Sequence, residues 1–256
     1  VIHSYTKDLT GSGNATAGVV IGRNRDMFIP KGETFEGKNW DETLFWDAYY
    51  IKGAFLDSDK AFEVISGMKT LELRMLRKCI NTRILAEFLD RHPLIDVRCS
   101  AVETDPNHGL ARELLAYGLP APLFTISMEQ AGISREAFIR FFDSLSPMFN
   151  HQVSLGQSNT TILCPALTSH SELDAASLDQ AGIHATTIRI AVGDENPREL
   201  IGHFVCAARL ALDGDVPGFS DMFPSAEEVD ELSRSEYLLA HRRVIDSAEP
   251  ASSFMT

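Results

Sequence analysis

Apolar residues recur between Asp59 and about Arg91 at Ala61, Val64, Met68, Leu71, Met75 and Cys79 and, later, at Leu85 and Leu89, in most places at steps of three or four. That spacing predicts one long helix, which Pro93 ends. Beyond it the period changes repeatedly. Ile95–Arg98 reads as a strand, Leu110–Tyr117 as a helix and Leu123–Ile126 as a strand. Arg135–Leu145 follows as a helix, Gln152–Leu155 and Thr161–Leu163 as short strands, and Glu172–Ala181 as a helix. Thr187–Val192 alternates cleanly as a strand, and Pro197–Leu212 closes the series as a helix with Asp194 or Asn196 as its N-cap. Interleaved strands and helices predict an α/β subdomain rather than a repeat array.

The flanks of this region are less regular. Ala17–Gly22 is a short β-like run bounded by glycines, and residues 24–39, with Pro30, Gly32 and Gly37, read as a loop. Asp41–Phe55 carries Phe45, Trp46, Tyr49, Tyr50 and Phe55, which predicts a helix packed at a subunit interface. After Asp213, Gly214, Pro217 and Gly218 break the pattern, and Ala226–Ala240 reads as an acidic amphipathic helix in a mobile tail.

Composition narrows the class. The 256 residues suffice for one large domain or two modest ones, and 44% hydrophobic with 23% charged residues argues for a folded chain. With 36 acidic against 23 basic residues the formal charge is -13, which repels phosphate backbones and anionic lipid. Neither nucleic acid nor a membrane is therefore expected as a partner. No run approaches the ~18 apolar residues of a membrane span, and nothing at the start resembles a signal peptide. Cys79, Cys99, Cys164 and Cys206 are widely spaced, so they read as reduced thiols of a cytoplasmic protein. The eight histidines lack metal-ligand spacing, and no metal is expected. The sequons at Asn14 and Asn159 are chance matches in that setting.

Three places could carry chemistry. Ser4-Tyr5-Thr6-Lys7 precedes Gly11-Ser12-Gly13. A lysine beside two hydroxyls and a glycine turn suits an aldehyde cofactor bearing a phosphate: the amine forms a Schiff base, while hydroxyls and backbone N–H groups hold the phosphate. Alone, such a lysine equally reads as a surface residue. Arg189 lies on an otherwise apolar strand, where a guanidinium requires either a structural acidic partner or a substrate carboxylate to grip. Ser154 and Gly156 end a short strand, where they either assist a carboxylate or simply make a turn. Cys164, beside Pro165, reads as a packing residue, and His170 as a neighbour of a helix start.

The order of these pieces carries more than any one of them. Ser-x-Thr-Lys with its glycine turn, Gly67-Met68-Lys69-Thr70-Leu71-Glu72-Leu73-Arg74-Met75, Ser154-Leu155-Gly156, Pro165-Ala166 with Thr168-Ser169-His170, and Ile188-Arg189-Ile190-Ala191-Val192-Gly193 occur in that sequence. Over roughly Ile2 to Leu212 the chain resembles the Cys/Met-metabolism (trans-sulfuration) family of pyridoxal-phosphate enzymes. That family includes methionine γ-lyase, cystathionine γ-lyase, cystathionine γ-synthase and O-acetylhomoserine sulfhydrylase.

The resemblance implies an α/β, aspartate-aminotransferase-like (fold type I) chain. Residues 1–56 would be the rear of the large cofactor domain, 57–213 the small C-terminal domain and 214–256 a tail. It implies pyridoxal 5'-phosphate bound by Ser4, Thr6 and Lys7, with Lys7 also the catalytic amine. Ser154 and Arg189 would hold the carboxylate of an amino-acid substrate. It implies carbon–sulfur lyase chemistry, γ-elimination from methionine or cystathionine, with γ-replacement on an O-acylhomoserine as the alternative. An aminotransferase and a non-catalytic interaction module are the distant alternatives. A homotetramer built from dimers is the implied assembly. Family members are longer and carry this lysine near their middle, so the chain is expected to be the C-terminal part of a longer one. Asp8 and Gly11-Ser12 replace the usual aromatic and Gly-His, and Asn159 stands where cystathionine enzymes carry glutamate.

Overall fold

The computed structural model describes residues 1–21 and 48–247. The loop expected over residues 24–39 falls outside the described residues. Of the helix expected over Asp41–Phe55 only residues 48–55 are described; a π-helical turn over 48–51 ends there and the chain leaves the helix at Gly53 with φ 67°, so the helix does not reach Phe55. The backbone forms two compact units that divide between Leu71 and Glu72, and each is described by itself.

In the first unit, β1 (Ile2–Ser4) pairs antiparallel with β2 (Gly18–Val20), placing Ser4 opposite Gly18. α1 (Ser58–Met68) starts where the Asp57 carboxylate accepts the Lys60 N–H at 2.9 Å. It ends at a close approach: a Cβ on Gly67 would run into the carbonyl oxygens of Leu9 and Thr10. Thr70 donates both its N–H (3.2 Å) and its hydroxyl (3.3 Å) to Gly67 O, which closes the turn. The single helix expected over Asp59–Arg91 is therefore two, and α2 (Leu71–Asp90) begins in the next step. The apolar spacing carries across the break, but burial does not, since Val64 is buried and Met68 is 50% exposed.

The second unit is built on a five-stranded mixed sheet in the order β3 (Asp96–Arg98), β4 (Leu123–Ser127), β7 (Ile188–Ala191), β6 (Thr161–Leu163), β5 (Asn150–His151). All neighbours are antiparallel except β5 and β6. The sheet lies among α2, α3 (His108–Leu114), α4 (Arg135–Ser144), α5 (Ala175–Gln180), α6 (Pro197–Ala211) and α7 (Ala226–Ser247) in chain order. Ser134 caps α4 by accepting the Ala137 N–H, and Asn196 rather than Asp194 caps α6. Phe204 on α6 meets Phe141 on α4 edge-on at 5.2 Å, with Phe149 and Phe223 completing an aromatic centre. α2 adds Ile80, Ile84, Leu85, Phe88 and Leu89 to the same core.

Three local expectations change. The strand expected over Gln152–Leu155 lies two residues earlier, at Asn150–His151; Gln152 N–H still reaches Ile162 O, after which the chain turns at Gly156 with φ 89°. The helix expected to run to Tyr117 stops at Leu114, where Leu115 turns extended (φ -87°, ψ 143°), and Tyr117 and Gly118 then adopt φ of 58° and 62° in a separate turn. The segment read as a mobile tail contains the 22-residue α7, whose Val229, Leu232 and Ala240 belong to the core. Its acidic composition describes the outward face, and three apolar positions decide where it lies.

Candidate functional site

In the first unit, Lys7 sits half-buried in a turn just beyond β1. The turn is cinched by Thr10, 4% exposed, whose N–H donates to Tyr5 O and whose hydroxyl reaches the carbonyls of Thr6 and Lys7. Gly11 donates to Lys7 O at 3.0 Å and holds φ 68°, a conformation that favours glycine. The Ser4 hydroxyl has no partner among the described residues. The Thr6 hydroxyl differs: it accepts Ala17 N–H at 3.0 Å and lies 3.2 Å from Ala17 O as a donor. To donate to a phosphate, Thr6 must release that carbonyl. Ser4 at the end of β1 thus stands next to the turn that carries Thr6 and Lys7, and the donor set of hydroxyl and amine fits a phosphate-bearing aldehyde.

In the second unit, β7 alternates as its sequence predicts. Ile188 and Ile190 face the core at 0% and 1% exposure, while Arg189 lies on the opposite face between Thr125 of β4 and Leu163 of β6. Its Nη2 donates to Val153 O at 2.8 Å, beside Ser154. Its Nε is buried without a partner among the described residues, and no carboxylate there pairs with it. Burial alone pushes the guanidinium pKa down from its ordinary value. The structural ion pair that could have explained an arginine on this strand is not found among the described residues. Ser154 is half-buried and its carbonyl accepts the Thr161 hydroxyl at 3.2 Å, so the structure brings Arg189 and the Ser154 turn together.

A clamp behind this pair involves residues that spacing did not single out as functional. The Glu195 carboxylate accepts the Thr160 hydroxyl at 2.9 Å and also the Thr160 N–H. Gly193 N–H donates to the Thr160 hydroxyl at 3.0 Å. A Cβ on Gly193 would strike Ser158 O and Glu195, so only glycine fits there. Asn81, 0% exposed on α2, donates to Gly193 O (3.2 Å) and Glu195 O (2.8 Å) and accepts the Tyr237 hydroxyl at 2.7 Å. The loops after β7 and before β6 are thereby fixed to two helices. These partners lie up to 156 residues apart, so no local signal marks them.

Cys164 is buried, and burial pushes its thiol pKa up, as befits a packing residue. His170 is exposed, and its Nδ1 lies 2.8 Å from the Ser169 hydroxyl. α5 starts only at Ala175, with Asp174 as its cap. Among the described residues no helix is long and apolar enough to cross a membrane, and no His, Cys, Asp and Glu cluster could hold a metal.

Residues 1–208 match the family described as Cys/Met metabolism PLP-dependent enzyme. An L-methionine gamma-lyase of Fusobacterium nucleatum subsp. polymorphum is 34% identical over 203 residues, covering 78% of this chain and 46% of that protein. An O-succinylhomoserine sulfhydrylase of Pseudomonas aeruginosa is 33% identical over 201 residues, covering 78% and 45% respectively. The crystal structure of cystathionine gamma synthase from Xanthomonas oryzae pv. oryzae in complex with cystathionine superposes with a TM-score of 0.67 at 26% identity, covering 82% of this chain and 50% of that one. The chain thus spans about half the length of these relatives. The expected fold class, α/β of fold type I, agrees with that superposition.

Proposed function

This chain belongs to the Cys/Met metabolism family of PLP-dependent enzymes, and on that premise we propose that it forms part of a carbon–sulfur lyase acting on sulfur amino acids. The reaction is γ-elimination from methionine or cystathionine. The observation that carries the reading is the partly desolvated Arg189 guanidinium, whose buried Nε has no partner among the described residues and whose neighbour is the Ser154 turn.

A substrate carboxylate supplies an anion that Arg189 does not find among the described residues. Its two oxygens match the guanidinium fork, and Ser154 adds a hydroxyl donor. With the carboxylate fixed, rotation about the bond to Cα is restricted, and the Cα–H bond keeps one orientation. Pyridoxal phosphate, when bound through Lys7 with Ser4 and Thr6 at its phosphate, supplies the electron sink for negative charge at Cα. The Lys7 amine takes the proton from Cα and then one from Cβ, and the electron pair left at Cβ expels the sulfur from Cγ. The Cγ–S bond then breaks and the sulfur leaves as a thiol. Overall, methionine and water give 2-oxobutanoate, ammonia and methanethiol.

The second reading is γ-replacement on an O-acylhomoserine, favoured by the likeness to an O-succinylhomoserine sulfhydrylase. There an incoming thiol captures the intermediate that water otherwise consumes. Residues 1–56 as the rear of a cofactor domain, a homotetrameric assembly and a cytoplasmic location belong to the same proposal.

The test uses the full-length protein and its Lys7→Ala variant. A visible chromophore that borohydride reduces, and that the variant lacks, is expected. Methionine should then release thiol and 2-oxo acid together. Absence of a chromophore would overturn the enzyme reading, and a chromophore without thiol release would favour replacement.

A further inference from the structure

A cavity of about 500 Å³ is bounded by α2, the start of α6 and the middle of α7, and it is unlike the rest of this acidic protein. Three arginines line it, Arg77, Arg198 and Arg234. Arg198 is already paired, its Nε lying 2.7 Å from the exposed carboxylate of Asp230. Arg77 and Arg234 have no carboxylate partner among the described residues. Ser233 lines the same cavity at 4% exposure, and its buried hydroxyl has no hydrogen-bond partner there either.

The start of α6 adds a fixed field rather than free donors. Pro197 has no N–H, and the Arg198 N–H is taken by the Asn196 side chain at 3.1 Å. The positive end of this 15-residue helix dipole nonetheless points at the cavity rim. Two unpaired guanidiniums, a helix N-terminus and an unsatisfied buried hydroxyl favour an anion with several oxygens. The cavity size is that of a small-molecule site, too small for a polymer. A net charge of -13 repels nucleic acid and anionic lipid from the surface around it.

We propose that the cavity lined by Arg77, Ser233 and Arg234 binds the phosphate group of a small phosphorylated metabolite. Ser233, Arg234 and Tyr237 stand on α7, beyond the residues 1–208 that match the family. Part of the site thus stands on α7, outside the matched residues, and none of Lys7, Ser154 and Arg189 lines it.

Inorganic phosphate titrated calorimetrically into the cofactor-loaded full-length protein, at ionic strength held with sodium chloride, tests it. One saturable site is expected, weakened about tenfold or more in Arg77→Ala/Arg234→Ala and weakened further by salt. Both arginines are exposed, so the variant should melt as the parent does. Ser233→Ala should weaken binding severalfold with the arginines intact. Non-saturable heats, or equal binding by parent and double-arginine variant, would overturn the assignment. A phosphate monoester of a small sugar distinguishes the sources: tighter binding than phosphate favours the metabolite, and equal binding or none restricts the site to the free ion and overturns the metabolite.

Discussion

Tyr237→Phe removes one oxygen atom and strands another. The phenol donates to Asn81 Oδ1 at 2.7 Å, and Asn81 is fully buried, so no water replaces the lost donor. An unsatisfied buried acceptor plus one lost hydrogen bond costs about 1–3 kcal/mol. Because Tyr237 is itself half-buried, a value near 2 kcal/mol follows from the same range. Asn81→Ala removes three hydrogen bonds and leaves the carbonyls of Gly193 and Glu195 bare, which sums to about 3–5 kcal/mol. The two changes share one bond, so they are not additive. In the Asn81→Ala background, Tyr237→Phe should cost well under ~1 kcal/mol, a coupling of about 1–2 kcal/mol. Urea unfolding followed by circular dichroism reads the cycle from the midpoint of the transition that melts α7, at unchanged slope. If Tyr237→Phe costs the same in both backgrounds, the clamp contributes nothing and the argument for it fails.

Other outcomes follow from single features. Phe204→Ala, emptying a ring with 0% exposure among Phe141, Phe149 and Phe223, should destabilise by about 3–5 kcal/mol in the same urea assay. His92 is held neutral: burial pushes its pKa below the ordinary 6.5, its Nε2 meets Phe219 O at 2.9 Å and its Nδ1 accepts the Leu94 N–H. Its contribution is therefore present above the unfolded value and lost as pH falls from 6.5 through the folded one. A His92→Gln variant should show a flatter decline of stability with acid over that window, and an unchanged slope would refute it. Iodoacetamide at pH 8 should label exposed Cys206 while sparing Cys99, whose thiol burial pushes up to about 11; intact mass reads the count. Arg189→Lys keeps the charge but loses the fork, and should raise KM for an amino-acid substrate by about tenfold or more with a smaller effect on kcat.

Much of this molecule is written in local pattern. The alternation in β7 places Ile188 and Ile190 inward and Arg189 outward, because side chains of a strand alternate whatever the context. Asn196-Pro197 starts α6 because the cap and the proline act within four residues. The ordered motifs identified the family for the same reason, since each is short and contiguous. Long-range closeness left no such trace. The break between α1 and α2 is set by the backbone of Leu9 and Thr10 against Gly67, nearly sixty residues away in sequence, while the apolar spacing runs through it unbroken. Acidic composition made Ala226–Ser247 look like a tail, yet three apolar side chains seat it on the core. The Asn81 clamp, and the lack of a carboxylate beside Arg189 among the described residues, are facts of tertiary contact, where hydrogen bonds of about 3 Å join positions that no spacing rule connects.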